Sequence, residues 1–161
     1  MLDQKVSYKF NLSVDEKKLL REQKMKQIEI INLSIEEIQK VLHVSFERAR
    51  ELFALSEFQQ IPSIGIRFAD DLLFLNYYTL LELKDKDGAT LTDDYELKKG
   101  YWIDPCVEDQ FRLVVHFANH FDYSKRWWDF TAERKQFRTE NGYPDCRPIK
   151  SWVEVIGIKK K

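Results

Sequence analysis

Two amphipathic helices separated by a short turn are predicted in the middle of the chain. The helical pattern that runs up to Phe58 should stop near Ile61, because Pro62 disfavours helical backbone at the residue before it. Gly65 then permits a tight turn or a close approach of the backbone. A new apolar pattern starts directly after this glycine and repeats at helical spacing, at positions 66, 68, 69, 72, 73 and 75. The pattern therefore predicts helix, turn, helix.

Helix-start signals predict further helices on both sides of this stretch. The capping box, a serine followed three residues later by glutamate, occurs at Ser13 and again at Ser34. The pair 104–105 combines an aspartate N-cap with a proline at the first helical position, ahead of a broad apolar face. Thr131 is expected to cap a charged helix that stops at the asparagine and glycine of 141–142.

A weak internal repeat with an offset of 20 residues brings Ala49 onto Ala69, so that residues 41–52 parallel residues 61–72. In the first copy Ser45 would act as a helix N-cap where the second copy has Gly65. The helix expected over about 46–57 would then belong to both copies. A chance match between two amphipathic helices in series is the alternative interpretation.

Loop and strand signals are few. Residues 84–92, with Asp87 followed by Gly88, form the clearest predicted loop, and 95–100 is expected to be a helical turn that ends at glycine. Residues 152–156 are rich in β-prone side chains, and three lysines end the chain. The predicted result is a chain of helices with a short β-prone tail.

The composition indicates a packed globular protein. The chain has 161 residues, of which 43% are hydrophobic and 14% aromatic, with five glycines and four prolines. No apolar run approaches the ~18–20 residues needed to span a membrane, and the first residues lack the apolar core of a secretory signal. With two cysteines, reduced thiols and a cytoplasmic location are expected, without a membrane partner.

The charge distribution argues against a strong, purely electrostatic DNA binder. The net charge is −1. Residues 51–100 hold five Lys/Arg against ten Asp/Glu, whereas 1–50 hold ten against eight and 101–161 hold eleven against nine. The predicted turn therefore lies in the most acidic third of the chain, although Lys and Arg contacts to phosphate supply most non-specific affinity for DNA.

Residues 61–69 resemble the core of a helix-hairpin-helix, Ile-Pro-Gly-Ile-Gly-x-x-x-Ala. Five of its six fixed positions are present, and Ser63 stands in place of the first glycine. The resemblance implies a turn that binds the DNA backbone without sequence specificity, through amides at the start of the second helix. Serine keeps the turn small but lacks the freedom of glycine at positive φ.

Together with this turn, the segments 100–112 and 127–135 resemble the bacterial "pathogenicity locus" family, which is related to small mitomycin-resistance proteins. The resemblance runs from about residue 58 to residue 148. It implies a DNA-associated role, in DNA repair or damage resistance, and no particular reaction.

The candidate DNA-backbone site is therefore the turn and the start of the following helix: Ser63, Ile64, Gly65, Ile66 and Arg67. The expected phosphate donors are the backbone amides of residues 64–67, aided by the Arg67 side chain. Arg48, Lys84 and Lys86 are candidate accessory cations. Asp70 and Asp71, one turn further on, would repel phosphate if they shared its side of the helix. The partner is thus predicted to be DNA, bound weakly, or alternatively a protein that uses a SAM-like module.

A metal site and a catalytic site are not expected. A zinc site would need Cys106, His116, His120 and Cys146 to come together, and there is no Cys-x-x-Cys pair to support one. Catalysis would have to come from the same histidines with Asp104, Glu108 or Asp109, and no nucleophile elbow or phosphate loop accompanies them. No enzyme activity, no cofactor and no bound metal are predicted. Cys106, near a helix start, is a candidate for a lowered thiol pKa.

The tryptophans at 102, 127 and 128 are expected to be core or groove-lining side chains rather than base-stacking platforms. The predicted fold is all-α: a helix-hairpin-helix (SAM-like) core with an appended C-terminal helical subdomain packed on it. The expected divisions are an N-terminal arm and helix over 1–33, the helix-hairpin-helix region over 34–95, the C-terminal subdomain over 96–148, and a tail with some flexibility over 149–161.

Overall fold

A computed structural model describes residues 7–157 and is helical throughout, which confirms the predicted all-α class. The α-helices are α1 (Val14–Glu22), α2 (Ile35–Leu42), α3 (Phe46–Gln59), α4 (Ile66–Phe74), α5 (Leu80–Leu83), α6 (Gly88–Lys99), α7 (Pro105–His120), α8 (Thr131–Asn141) and α9 (Trp152–Ile156). Two 3₁₀ helices, η1 (Gln27–Asn32) and η2 (Trp127–Phe130), complete the set. Over residues 7–157 there is no β-strand, and one isolated bridge pairs Trp102 with Ser151. The start of the expected arm and the terminal lysines of the expected tail lie outside the described residues.

The chain divides into two compact units between Glu82 and Leu83. The boundary that the sequence predicts after residue 95 would lie inside α6, and α6 packs on α7. Residues 83–95 therefore belong to the second unit. The packing of α6 on α7 decides where the units divide, and the loop signals of residues 84–92 do not. None of the described helices is long and apolar enough to cross a membrane.

In the first unit α3 is the central helix and contacts α2, α4 and η1. Its buried face meets an apolar core that contains Phe10, Leu20, Ile30, Ile38, Leu42, Leu52, Phe58 and Leu72. Burying each of these side chains stabilises the fold by about 1.5–3 kcal/mol relative to exposure. Serine side chains define the helix starts, since Ser13 accepts from the Glu16 amide in a full capping box and Ser34 accepts from the Glu37 amide.

The segment before α1 is held in place by one buried glutamine. The Gln59 side chain accepts a hydrogen bond from the Lys9 amide at 3.0 Å and donates to the Lys9 carbonyl at 2.6 Å. An extended segment cannot satisfy its own backbone groups, so this amide supplies the missing partner. Phe10 is consequently buried at 1% exposure.

In the second unit α6 and α7 approach each other at Gly88, the first residue of α6. A Cβ at this position would lie 2.8 Å from the Arg112 Cα and 2.9 Å from its nitrogen. The predicted loop over 84–92 is therefore wrong in its second half. Asp87 is the N-cap of α6 and accepts from the Thr90 amide at 2.9 Å, while the glycine allows close helix packing.

Two other local predictions are corrected by tertiary contacts. Residues 152–156 form the helix α9 rather than a β-prone segment, because Ser151 provides a full capping box and Trp102 satisfies the backbone just before it. Thr131 begins α8 but does not cap it, since its hydroxyl donates to Asp109 at 2.8 Å. The predicted stop at 141–142 is confirmed, with Gly142 as the C-cap.

Candidate functional site

The turn between α3 and α4 is held by its own backbone and by two buried isoleucines. The Ile61 amide donates to Phe58 at 3.2 Å, and the Ile64 amide donates to Ile61 at 3.1 Å. Ile61 and Ile64 are 1% and 5% exposed. The turn is thus anchored in the core at Ile61 and Ile64, and its exposed positions are Ser63 and Gly65.

Ser63 has φ of +66°, in the left-handed region that favours glycine. The helix-hairpin-helix pattern has its first glycine at this position. The turn therefore has the left-handed backbone that favours glycine, although the residue is a serine. His43, twenty residues earlier, is also left-handed, with φ of +51°. Ser45 and Gly65, which follow these residues by two positions, are both extended N-caps of the next helix. The residues paired by the internal repeat therefore share the same backbone states.

The N-terminus of α4 lacks the side-chain cap that α3 and α7 have. Gly65 is its N-cap with φ of −101°, and it makes no side-chain hydrogen bond to the first turn. By contrast, Ser45 accepts from the third amide of α3 and Asp104 from the second amide of α7. No heavy atom lies within 4 Å of the position that a Gly65 Cβ would occupy. The fold itself therefore does not require a glycine here, and the surface in front of the helix is open.

The first turn of α4 carries a cation and no acidic residue. Arg67 is exposed, and within residues 7–157 no carboxylate forms an ion pair with it. The amides of Ile66 and Arg67 have no intrahelical acceptor, because they belong to the first helical turn. The Ile64 amide, by contrast, is used inside the turn, which corrects its selection as a phosphate donor. The residues that remain as candidates for a phosphate contact are thus Gly65, Ile66 and Arg67.

Acidic side chains lie one turn further along α4. Asp70 is exposed, and its pKa is raised by burial of the carboxyl and by the nearby Glu51 carboxylate. Asp71 is partly buried. Two carboxylates therefore follow the turn closely along α4.

Arg48, a candidate accessory cation, is engaged inside the first unit. Its guanidinium donates to Glu16 at 2.8 and 3.0 Å, to Glu51 at 3.3 Å and to the Asn11 carbonyl at 3.1 Å. Its hydrogen bond lowers the pKa of the Glu16 carboxyl. Because Glu16 neutralises this arginine, it has little charge to offer a ligand. Lys84 and Lys86 are exposed and belong to the second unit.

Comparison with known proteins assigns the family. Residues 51–136 match the family model described as "Pathogenicity locus" (Cdd1). The match covers more than half of the chain. The chain belongs to the Pathogenicity locus family. No curated protein and no solved structure matches it.

The family match confirms the resemblance to the Pathogenicity locus family over residues 58–136 and extends it back to residue 51 in α3, whereas residues 137–148 lie outside the match. In this Pathogenicity locus protein the matched segment contains the α3–α4 turn, all of α7 and the first half of α8. Both candidate chemistries of the sequence, the turn and the histidine pair, lie within it.

The two α7 histidines do not assemble a metal centre with the cysteines. His116 Nε2 lies 3.1 Å from an Asp122 oxygen, and its ring centroid lies 4.7 Å from that of His120. Among the residues described, no group of three His, Cys, Asp or Glu side chains is placed to hold a metal ion. Both cysteines are exposed free thiols. Burial and the adjacent Asp104 carboxylate raise the pKa of Cys106, which is opposite to the lowering considered for its helix-start position.

The carboxylates considered for catalysis are structural in this family member. Asp104 caps α7. Glu108 and Asp109 are 1% and 0% exposed, and each is bound to arginines of α8. Asp109 accepts from Arg134 at 2.6 Å, and Glu108 accepts from Arg138 at 2.8 Å. Such pairs tie helices together, since a buried charge without its partner is strongly destabilising.

This buried charge network was not predicted from the sequence. Besides these pairs it includes Glu96, which is 1% exposed and accepts from Arg147 at 2.8 and 3.1 Å. The one local signal was the spacing of four residues between Glu108 and Arg112, whose atoms lie 2.9 Å apart. The other pairs join residues 25 to 51 positions apart, a separation that leaves no pattern in the sequence.

The tryptophans are more exposed than expected. Trp128 is 55% exposed and makes an edge contact with Trp127, with ring centroids 5.3 Å apart. Trp102 and Trp127 are partly buried. Trp128 is therefore not a core side chain, and the groove-lining alternative stays a prediction.

Proposed function

We propose that this Pathogenicity locus protein binds the DNA backbone without sequence specificity, through a helix-hairpin-helix formed by α3, the turn and α4. The contact surface is Ser63, Gly65, Ile66 and Arg67, with Ile64 anchoring the turn in the core. The role that we infer in DNA repair or damage resistance rests on the resemblance of the turn to a helix-hairpin-helix and of residues 58–148 to the Pathogenicity locus family.

The observation that carries the proposal is the open N-terminus of α4. A helix start concentrates unpaired amides and partial positive charge, which suits a phosphate oxygen. Here Gly65 contributes no capping side chain, the first turn is free of acidic residues, and Arg67 adds a full charge. The space at the Gly65 Cβ position lets a phosphate approach the backbone closely.

The same surface supports weak rather than tight binding. One arginine and a few amides can neutralise only one or two phosphates, and Asp70 lies on the next turn of the same helix. Each neutralised phosphate contributes about one unit to the slope of log affinity against log salt. We therefore expect a slope of about −1 to −2.

Fluorescence anisotropy with labelled duplex and single-stranded oligonucleotides over a salt series tests the function. The expected result is binding at low salt that is independent of sequence and weakens with the shallow slope given above. Absence of binding at the lowest salt for both kinds of DNA would exclude the proposal.

A protein-interaction module of SAM-like shape is the second candidate. It is favoured by the acidic balance of residues 51–100 and by large apolar side chains on the surface of the first unit. Leu81 and Phe46 are 78% and 49% exposed. This alternative predicts no anisotropy change with DNA and a loss of partner binding when Leu81 is replaced by a polar residue.

A further inference from the structure

The second unit contains a polar cleft of about 270 Å³ at the start of α6 and the end of α7. Lys86 and Asp87 line it from the segment before α6, His116 and His120 from α7, and Glu133 from α8. The two histidines follow one another at a spacing of four residues, so their rings share one side of the helix. The cleft is within one unit and is separate from the α3–α4 turn in sequence.

The acidic groups around the cleft already have partners. Asp87 accepts from the amide and the hydroxyl of Thr90 at 2.9 and 2.8 Å, at the positive end of α6. Glu133 lies 3.6 Å from Arg112. Outside the cleft, Asp122 accepts from Ser124, and this bond together with the one to His116 lowers the pKa of Asp122. The carboxylates are thus compensated by neighbours of the protein itself.

Among the basic side chains that line the cleft, Arg112 is paired with Glu108 at 2.9 Å, whereas Lys86 and the two histidines are compensated less. In the part of the chain that the structure describes, no acidic side chain pairs with Lys86 or with His120. The bond between His116 and Asp122 uses Nε2 and leaves Nδ1 as a second donor when the ring is protonated. An ammonium group and two imidazoles are therefore available in the cleft to bind a negatively charged ligand.

We propose that this cleft binds a tetrahedral oxyanion of the phosphate-monoester class, held by Lys86, His116 and His120. Lysine acts as a point charge for phosphate, and protonated imidazole donates charge-assisted hydrogen bonds to it. The site does not depend on the DNA contact proposed for α4, so either can fail alone.

Binding is expected to weaken as pH rises, because an imidazole attracts an anion through a positive charge only when it is protonated. The groups that surround the two imidazoles are Lys86, Asp87, Glu108, Arg112, Asp122 and Glu133. Because histidine is the side chain whose charge changes in the physiological pH range, the two histidines are expected to dominate the change in affinity.

Histidine-ring NMR of the full chain during titration with sodium sulfate tests the site. Sulfate is the anion of a strong acid and keeps its charge over the pH range of the titration, so any change in affinity with pH reports on the protein. Sodium chloride at equal ionic strength is the control. The chain has three histidines, and His43, in the first unit, serves as an internal reference.

The expected result is a saturable shift of His116 and His120, without a shift of His43, and an affinity about tenfold higher at the lower pH. The double variant Lys86→Ala/His120→Ala should weaken sulfate binding about tenfold or more, because both altered side chains are surface cations of the site. Lys125→Ala, which removes another exposed cation of the second unit, should change it less than about twofold.

The proposal is overturned if chloride produces the same shifts, if His43 shifts equally, or if Lys125→Ala weakens binding as much as the double variant. Inorganic phosphate and a 5′-phosphorylated oligonucleotide then separate the two sources of the ligand. Equal affinity for both supports a free anion, and tighter binding of the oligonucleotide supports a nucleic-acid end. Failure of both to bind overturns the site.

Discussion

Ser63 is the residue at which the sequence departs from the glycine that both the resemblance and the left-handed backbone favour. A left-handed backbone costs an L-residue about 1–2 kcal/mol, which glycine does not incur. The turn keeps this conformation because Ile61 and Ile64 on either side are buried. Packing of the neighbours therefore imposes a conformation that the residue itself disfavours.

Replacing Ser63 by glycine and by alanine separates this backbone cost from the role of the hydroxyl. Both variants remove the hydroxyl, but only glycine relieves the left-handed strain. We expect Ser63→Gly to be more stable than Ser63→Ala by about 1 kcal/mol, after the greater freedom of glycine in the unfolded chain is subtracted. Urea denaturation measures this difference. Equal stability of the two variants would show that the turn is not strained, and the same order is expected at His43.

Gly88 and Gly65 illustrate two different uses of glycine at helix starts. At Gly88 a methyl group would meet the Arg112 backbone at 2.8 Å, whereas at Gly65 it would meet no atom within 4 Å. We expect Gly88→Ala to destabilise the protein by about 2 kcal/mol, through forced separation of α6 and α7. Gly65→Ala, with φ of −101°, is the matched control and should stay within about 1 kcal/mol of the parent.

Thermal unfolding of the two glycine variants gives the result directly. If Gly88→Ala unfolds like Gly65→Ala, the close packing of α6 on α7 is incorrect.

The Glu16–Arg48 pair joins α1 to α3 and should make the first unit sensitive to acid. Arg48 lowers the pKa of Glu16 below its usual 4.5, and the carboxylate side chain is only 8% exposed. Since the folded pKa is depressed, the stabilisation is complete above the unfolded pKa and is lost as pH falls through the folded one. Glu16→Gln should cost about 2 kcal/mol at neutral pH, and this difference should shrink as pH falls below about 4.5.

Urea denaturation at several pH values follows this difference in the free energy of unfolding. Glu22→Gln is the control on the same helix, because Glu22 forms an exposed pair with Lys18 at 3.9 Å and should contribute less than about 0.5 kcal/mol. A Glu16→Gln effect that stayed constant down to low pH would argue against the ion pair.

At the scale of the whole molecule, the sequence predicts those features that are encoded locally. The serine caps of α1 and α2, the aspartate–proline start of α7 and the glycine stop of α8 all act within one helical turn, and each is found. The α3–α4 turn is found for the same reason, since Pro62 and Gly65 act on adjacent backbone.

Features that depend on distant partners were missed. The start of α6 was expected as loop, because the reason for Gly88 lies on α7 and not beside it. The ion pairs of Asp109 and Glu96 join segments far apart in sequence, so neither residue carries a signal of its burial. For the candidate site, the pattern located Gly65 and Arg67 but could not reveal that the Ile64 amide is used within the turn.

The acidic middle of the chain limits how strongly the whole molecule can hold DNA. The open helix start at Gly65 is a local exception, with one exposed cation in its first turn. The DNA binding that we propose for that surface should therefore depend on a close approach to the backbone rather than on the overall field of the protein.

DNA binding through the α3–α4 turn is tested most directly by the fluorescence anisotropy of a labelled short DNA duplex at low salt. The proteins compared are the parent chain, Gly65→Ala, Arg67→Ala and Lys40→Ala. Lys40 is an exposed cation of α2 and serves as the matched charge control for Arg67. We predict that Gly65→Ala and Arg67→Ala each weaken binding by about 1 kcal/mol or more, with a salt slope about one unit smaller for Arg67→Ala, while Lys40→Ala stays near the parent. Unchanged affinity in both turn variants, or an equal loss with Lys40→Ala, would contradict DNA binding through the α3–α4 turn.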